Sequence, residues 1–390
     1  MVGGKVRSEK WILDQLEKLT AAGLERRTEV YPPSKATAAN FSSNDYLNLS
    51  AHPAVLQAQQ QATAAGSGAS RLVSGTTEVH QQFEQQLAEY LDKPAAVICG
   101  AGYLANVSIL TAWLRRSDTV FADRLVHASL IDGIQLSMAQ HQRFRHNDLD
   151  HLEQLLTKRS ANRQPDERWL VVVESIYSMD GDRAPLEAIA PLAAKFDAEL
   201  LVDEAHALGV FGPAGQGVAA ELGITDQVGI LTGTLSKSFG SYGGIVAGSE
   251  LLRRLVVNRA RPFIYNTGLP PGVLLAAGES LRLMKAHPEF GPQLLALADH
   301  FRTELEKQGL TVGPSTSQIV PVMVGDNELA LALAERLQTA GTFVKAIRPP
   351  TVPEGTARLR FSITLAHHEA LLTSTAEQVG HEARQLGLIE

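Results

Sequence analysis

Apolar residues recur along the chain with two spacings, and the change from one to the other marks most of its elements. Ile12, Leu13, Leu16 and Leu19 repeat at helical spacing within residues 9–22, and Phe83, Leu87 and Leu91 within 78–91. Residues 52–65 also read as a helix. From residue 95 the pattern alternates. Short apolar runs at 95–99, 118–122, 169–174, 199–203, 227–232 and 243–247 read as strands, and the stretches 103–114, 128–138, 148–158, 186–195 and 249–259 as helices. Buried strands separated by helices predict an α/β fold, a mostly parallel sheet covered by helices on both faces.

The pattern changes after Pro270-Pro271. Helical stretches at about 272–286, 291–308, 327–340 and 367–386 accompany strands at 318–324, 343–347 and 357–363, which reads as a smaller α+β domain. The expected division is an N-terminal helix and arm (1–45), a large domain (46–270) and a small C-terminal domain (271–390). There is no internal repeat, low-complexity tract or flexible linker.

Composition narrows the class. A chain of 390 residues, 44% hydrophobic and 20% charged, is an ordinary globular protein able to bury a large core. Its net charge of -7 argues against a nucleic-acid partner. The single cysteine, Cys99, excludes an internal disulfide and a thiolate zinc cluster, and no metal is expected. The start reads as a polar amphipathic helix, not a signal peptide, and no apolar run is long enough to span a bilayer. A cytoplasmic protein without a membrane partner is expected.

The candidate chemistry lies at strand ends. Gly233-Thr234-Leu235-Ser236-Lys237-Ser238-Phe239-Gly240 delivers one lysine on a loop of small and hydroxyl residues, directly after an apolar strand. A lysine that forms a Schiff base needs such a setting, because its amine must approach a carbonyl closely and be partly desolvated. A solvated lysine on a polar turn fits the loop equally well. The spacing of a P-loop is absent. Leu200-Leu201-Val202-Asp203-Glu204-Ala205-His206 ends a second strand in Asp-x-x-His. Asp203 alone could be a helix cap and His206 a buried histidine. Beside Lys237 they instead suit pyridoxal phosphate (PLP), which needs a lysine for its aldehyde, an acid for its ring nitrogen and donors for its phosphate. Gly100-Ala101-Gly102-Tyr103 puts glycines between a strand and a helix start, where free amides favour an anion. His127 and Ser175 follow two further strands. Four strand ends, followed by Gly102, Ser175, Asp203 and Lys237, thus point to one crevice.

With these motifs the sequence resembles the α-oxoamine synthase family of PLP enzymes, over nearly the whole chain from Asn44-Asp45-Tyr46-Leu47 to Arg358-Leu359-Arg360-Phe361. The segments 66–75, 123–130 and 346–360 carry a closer likeness to its members in biotin biosynthesis. The resemblance implies the aspartate aminotransferase-like fold (PLP fold type I), a seven-stranded-type sheet and a homodimer. It implies that L-alanine condenses with a pimeloyl thioester, on acyl carrier protein or coenzyme A, with loss of CO2. Lys237, Asp203 and His127 would be the catalytic residues. Gly102, Tyr103, Ser175, His206, Thr234 and the same three would bind PLP, with Thr267 reaching the neighbouring subunit's cofactor. Arg360 would grip the amino-acid carboxylate with Asn44 nearby, and Thr351, His127 and Arg26 would meet substrate. Some of these have plain alternatives. Arg26-Arg27 fits a solvated turn, and Arg360 fits the water-facing side of an alternating strand. The segment Arg348-Pro349-Pro350-Thr351-Val352-Pro353, expected to be stiff and extended, also fits a structural inter-strand loop.

Overall fold

The computed structural model describes residues 7–21, 24–26, 28, 31 and 40–390. Arg27 lies outside them. The strands of the first sheet are β1 (Ala95–Cys99), β2 (Thr119–Asp123), β3 (Gln140–Phe144), β4 (Trp169–Glu174), β5 (Ala198–Asp203), β6 (Ile230–Thr234) and β7 (Gly244–Gly248). They lie in the order β1-β7-β6-β5-β4-β2-β3, and β7 alone runs against the others. Every residue of β1, β2, β4, β6 and β7 is buried. That is why these strands read as unbroken apolar runs: both faces are covered by helices. The exception is β3, Gln-His-Gln-Arg-Phe, absent from the sequence reading. It is one of the two edge strands, only Phe144 in it is buried, and its polar residues leave no apolar signal.

The loop between β6 and β7 carries Lys237. It closes through Leu235 N–H to Gly243 O at 2.9 Å, Ser241 N–H to Leu235 O at 3.0 Å and Gly240 N–H to Lys237 O at 2.8 Å. Gly240 is required twice over. Its φ is +57°, and a Cβ there would sit 2.3 Å from the backbone nitrogen of Ser50.

A second, antiparallel sheet contains β8 (Ile319–Gly325), β9 (Lys345–Ile347) and β10 (Ala357–Ser362) in the order β8-β10-β9. All of β10 is buried, including Arg358 and Arg360. The two arginines alternate onto one face, and that face meets the loop after β4 rather than water. Arg358 pairs with Asp180, and Arg360 Nε donates to Ser178 O at 2.6 Å.

The arm before the first sheet is stitched to the second. Phe41 N–H donates to Phe343 O and Ser362 N–H to Phe41 O, both at 2.8 Å, and Leu365 N–H donates to Tyr46 O at 2.9 Å. Phe41 is fully buried, stacked on Phe301 and edge-on to Phe361. Asn44 and Tyr46 are thereby brought against β10. The proline-rich segment differs from expectation. It turns back on itself, with Thr351 N–H donating to Arg348 O at 3.1 Å.

Candidate active site

A cavity of about 230 Å³ opens at the C-terminal ends of β4, β5 and β6, beside the helix Gly102–Trp113. This is where ligands bind in open parallel sheets. Gly102, Tyr103, His127, Asp203, His206, Thr234 and Lys237 line it, so seven residues named from the sequence meet in one place. Asn106, Ser129 and Glu174 line it too.

One wall is the start of the helix. Ala101, its cap, is extended, and the first helical bond runs from Ala105 N–H to Ala101 O at 2.9 Å. The amides of Gly102 and Tyr103 precede that bond and are left to an anion, favoured by the helix dipole. A Cβ on Gly102 would sit 3.0 Å from Thr234 Cβ, so any other residue there would have to push the β6 end aside. Thr234 reaches the wall, but its hydroxyl donates to Gly243 O at 3.0 Å and accepts from Ser236 N–H at 3.1 Å. The Tyr103 hydroxyl donates to Asp132 at 2.5 Å.

The opposite wall is a continuous polar row. Lys237 Nζ lies 2.8 Å from His206 Nε2, and His206 Nδ1 lies 2.6 Å from the Tyr46 hydroxyl. The Tyr46 hydroxyl is 3.2 Å from Asn44 Oδ1, which also accepts from Arg360 Nη1 at 3.2 Å. Arg360 Nη1 donates in addition to Ser362 Oγ at 2.7 Å. Nε and Nη1 carry all these bonds, and Nη2 makes none of them. Desolvation above all, with the Arg360 charge beside it, lowers the Lys237 amine to about 8 against the opposing pull of Asp203 and Glu174. Burial, with the cations Lys237 and Arg360 nearby, also takes His206 well below the usual histidine range, so its imidazole is neutral.

Asp203 anchors the floor. It accepts from Asn106 Nδ2 at 2.8 Å and from Ala205 N–H at 2.9 Å. Asn106 Nδ2 also donates to Ser129 Oγ at 2.9 Å, and Ser129 Oγ lies 2.7 Å from Nδ1 of His127, which caps the helix Ala128–Ser137. Burial first, and then the Asp203 charge, push the Glu174 carboxyl well above its ordinary range. Its Oε1 and the Oδ1 of Asn106 are buried without a partner.

Other named residues lie elsewhere. Glu174, not Ser175, lines the cavity at the β4 end. Ser175 is fully buried and donates to Glu204 at 2.5 Å. Thr267 lines a separate narrow cleft with Arg71, Gly100 and Asn266. Asn44 and Arg360 join the site through Tyr46 rather than by lining the cavity. Arg26 and Thr351 meet in a second pocket of about 940 Å³, where Arg124, Arg143 and Arg145 surround apolar walls of Leu125, Phe144, Met179 and Val352. His127 lines both pockets. The sequence reading missed Glu174, Asn106 and Tyr46. The first had a visible signal, a charge closing the otherwise apolar Trp-Leu-Val-Val-Val-Glu strand.

The aminotransferase class I and II family matches residues 36–379. An 8-amino-7-oxononanoate synthase of Saccharophagus degradans is 44% identical over 345 residues, covering 86% of each chain. One from Anaeromyxobacter dehalogenans is 43% identical over 371 residues, covering 92% of each. A serine palmitoyltransferase from S. paucimobilis, solved with PLP and myriocin bound, superposes with a TM-score of 0.90 at 30% identity, across 99% of this chain and 100% of that one. The likeness spans both sheets and the cavity between the strand ends and the helix, and the chain belongs to the aminotransferase class I and II family, alongside the 8-amino-7-oxononanoate synthases.

Proposed function

We propose that the chain is a PLP-dependent 8-amino-7-oxononanoate synthase, joining L-alanine to a pimeloyl thioester of coenzyme A or acyl carrier protein with loss of CO2 and the free thiol. The observation that carries this reading is one cavity holding Lys237 and Asp203 that shares His127 with a second pocket of about 940 Å³. The product for which the relatives are named agrees in carbon count. Three carbons of alanine and seven of a pimeloyl group, less one lost as CO2, make a nonanoate.

The residues present fit PLP. Lys237 would meet its aldehyde carbon, Asp203 its ring nitrogen, and the Gly102 and Tyr103 amides its phosphate, while Glu174 and Asn106 offer buried polar atoms with no other partner. Bound there, PLP supplies the electron sink for the pair left when a bond to an amino-acid Cα breaks. The protein's own part is to move a proton and hold groups in place. Lys237 Nζ takes and returns the alanine Cα proton. With its pKa lowered to about 8, roughly a quarter of the amine is neutral at pH 7.5, against about a thousandth for an ordinary lysine. Arg360, held through Nε and Nη1, offers Nη2 to the alanine carboxylate. His127 stands where the two pockets meet, beside both substrates. Arg26 and Thr351 line the thioester's side.

The homodimer belongs to this reading. Trp11, Leu13 and Leu16 on the helix Arg7–Ala21 are exposed, as are Val73 and Tyr265, apolar side chains that a second copy would cover. No helix among the described residues is long and apolar enough to cross a membrane.

The test is a substrate panel: alanine, glycine and serine against pimeloyl-, acetyl- and palmitoyl-thioesters, scoring CO2 and free thiol. Alanine with the pimeloyl thioester should lead. Preference for serine with palmitoyl, or for glycine with acetyl, would overturn the assignment while leaving the PLP site intact.

A further inference from the structure

Tyr46 does not itself line the cavity, yet through His206, which does, it is the link between the lysine and the arginine. Its side chain is fully buried, and its backbone carbonyl is tied to Leu365. The hydroxyl has one proton to give and two partners within reach, His206 Nδ1 at 2.6 Å and the acceptor Asn44 Oδ1 at 3.2 Å. Asn44 Oδ1 already receives the charged donor Arg360 Nη1. The shorter contact therefore takes the phenol proton. Burial keeps the phenol protonated despite Arg360 beside it. A neutral imidazole that accepts at Nδ1 must carry its own proton on Nε2.

We propose that Tyr46 is a positioning residue: its hydroxyl donates to His206 Nδ1 and holds the imidazole proton on Nε2, facing Lys237 Nζ at 2.8 Å. Gln318 supports the arrangement by donating from Nε2 to the His206 backbone carbonyl at 2.8 Å. The consequence falls on Lys237. An N–H directed at the amine lone pair favours neutral amine and opposes ammonium. The same N–H serves any anionic oxygen brought into the cavity. Without the phenol, the proton is free to move to Nδ1, and Nε2 becomes an acceptor that stabilises ammonium. The other titratable or permanently charged groups facing this pair are Asp203, Glu174 and Arg360 on the lysine side and Arg360 and His127 on the histidine side, and Tyr46→Phe leaves all of them in place. The inference does not depend on which amino acid or thioester the site accepts.

Two measurements on PLP-free protein test it. Long-range 15N–1H correlation on 15N-histidine-labelled wild type, with the His206 signal assigned by its loss in His206→Gln, reads the tautomer directly. The expected pattern is a protonated Nε2 and an unprotonated Nδ1. The second measurement is the pH dependence of Lys237 acetylation by trace acetic anhydride, read by peptide mapping in wild type and Tyr46→Phe. The midpoint should rise from about 8 toward the ordinary lysine range, with at least a several-fold slower reaction at pH 8. A wild-type proton on Nδ1, or a Lys237 midpoint unmoved in folded Tyr46→Phe, overturns the proposal. If Tyr46→Phe fails to fold, the wild-type tautomer alone decides it.

Discussion

His146 joins the end of β2 to the loop after β4, and its charge should make the protein's stability fall at alkaline pH. Its Nδ1 lies 3.0 Å from Asp123 Oδ1 and its Nε2 2.7 Å from Asp182 Oδ2, with only 18% of the side chain exposed. Burial alone would lower its pKa. The hydrogen bonds and charges of Asp123 and Asp182 outweigh burial and raise it from 6.5 to about 9. Because the folded value is raised, the contribution is fully present below pH 6.5 and is lost as pH rises through about 9. At 1.36 kcal/mol per pKa unit the gap is worth about 3 kcal/mol at its limit, about 2 kcal/mol at pH 7.5 and almost nothing above pH 9.5. The perturbation is His146→Gln, which removes the charge. Asp123 keeps the N–H donors of Leu125 and Asn147, and Asp182 keeps Asn147 Nδ2. Urea unfolding of wild type and variant at pH 6.0, 7.5 and 9.5 should give a stability difference that shrinks by about 2–3 kcal/mol across the series. A difference independent of pH would refute the reasoning, because it would mean that His146 contributes packing and not charge. The latch also bears on the second pocket. Tyr177, which lines that pocket, packs edge-on against the His146 ring at 4.4 Å. The KM for the thioester should therefore rise along the same alkaline limb.

Arg360→Ala should lower kcat/KM for alanine by about 30- to 150-fold, the worth of a charge-assisted pair of about 2–3 kcal/mol. Arg360→Lys should recover only part, since an ammonium lacks the guanidinium fork; an unchanged alanine KM with a raised thioester KM would move Arg360 to the other substrate. Borohydride reduction of the PLP-loaded protein should fix the cofactor to the peptide carrying Lys237, and a label on any other lysine would displace the site. Gly240→Ala should cost at least about 2 kcal/mol in denaturant unfolding, because the residue combines positive φ with a 2.3 Å approach to backbone; a neutral result would show that the Lys237 loop can shift away from Ser50.

The alternation of apolar runs and amphipathic stretches determined the order of the elements, the mostly parallel sheet and the strand ends where chemistry collects. That follows because a strand covered on both faces must be apolar throughout, while its C-terminal end is released from that demand and can carry Asp203 or lead into the Lys237 loop. The same property hid other features. A strand buried on both faces has no phase in its hydrophobic pattern, so nothing in Val171-Val172-Val173-Glu174-Ser175 says whether the last strand residue or the one after it faces the cavity. β3 was illegible because only Phe144 of its five residues is buried, which leaves no apolar run. Arg358 and Arg360 alternate like a solvated face, and only the packing of the second sheet on the loop after β4 turns that face inward. Tyr46 could not be given a role from its neighbours in the chain. Its partner His206 is 160 residues away, and their meeting depends on the arm being stitched to β10 while His206 follows β5. Periodicity reports how each element meets solvent. Which side chains from different elements share a proton is decided by the tertiary packing that brings those elements together.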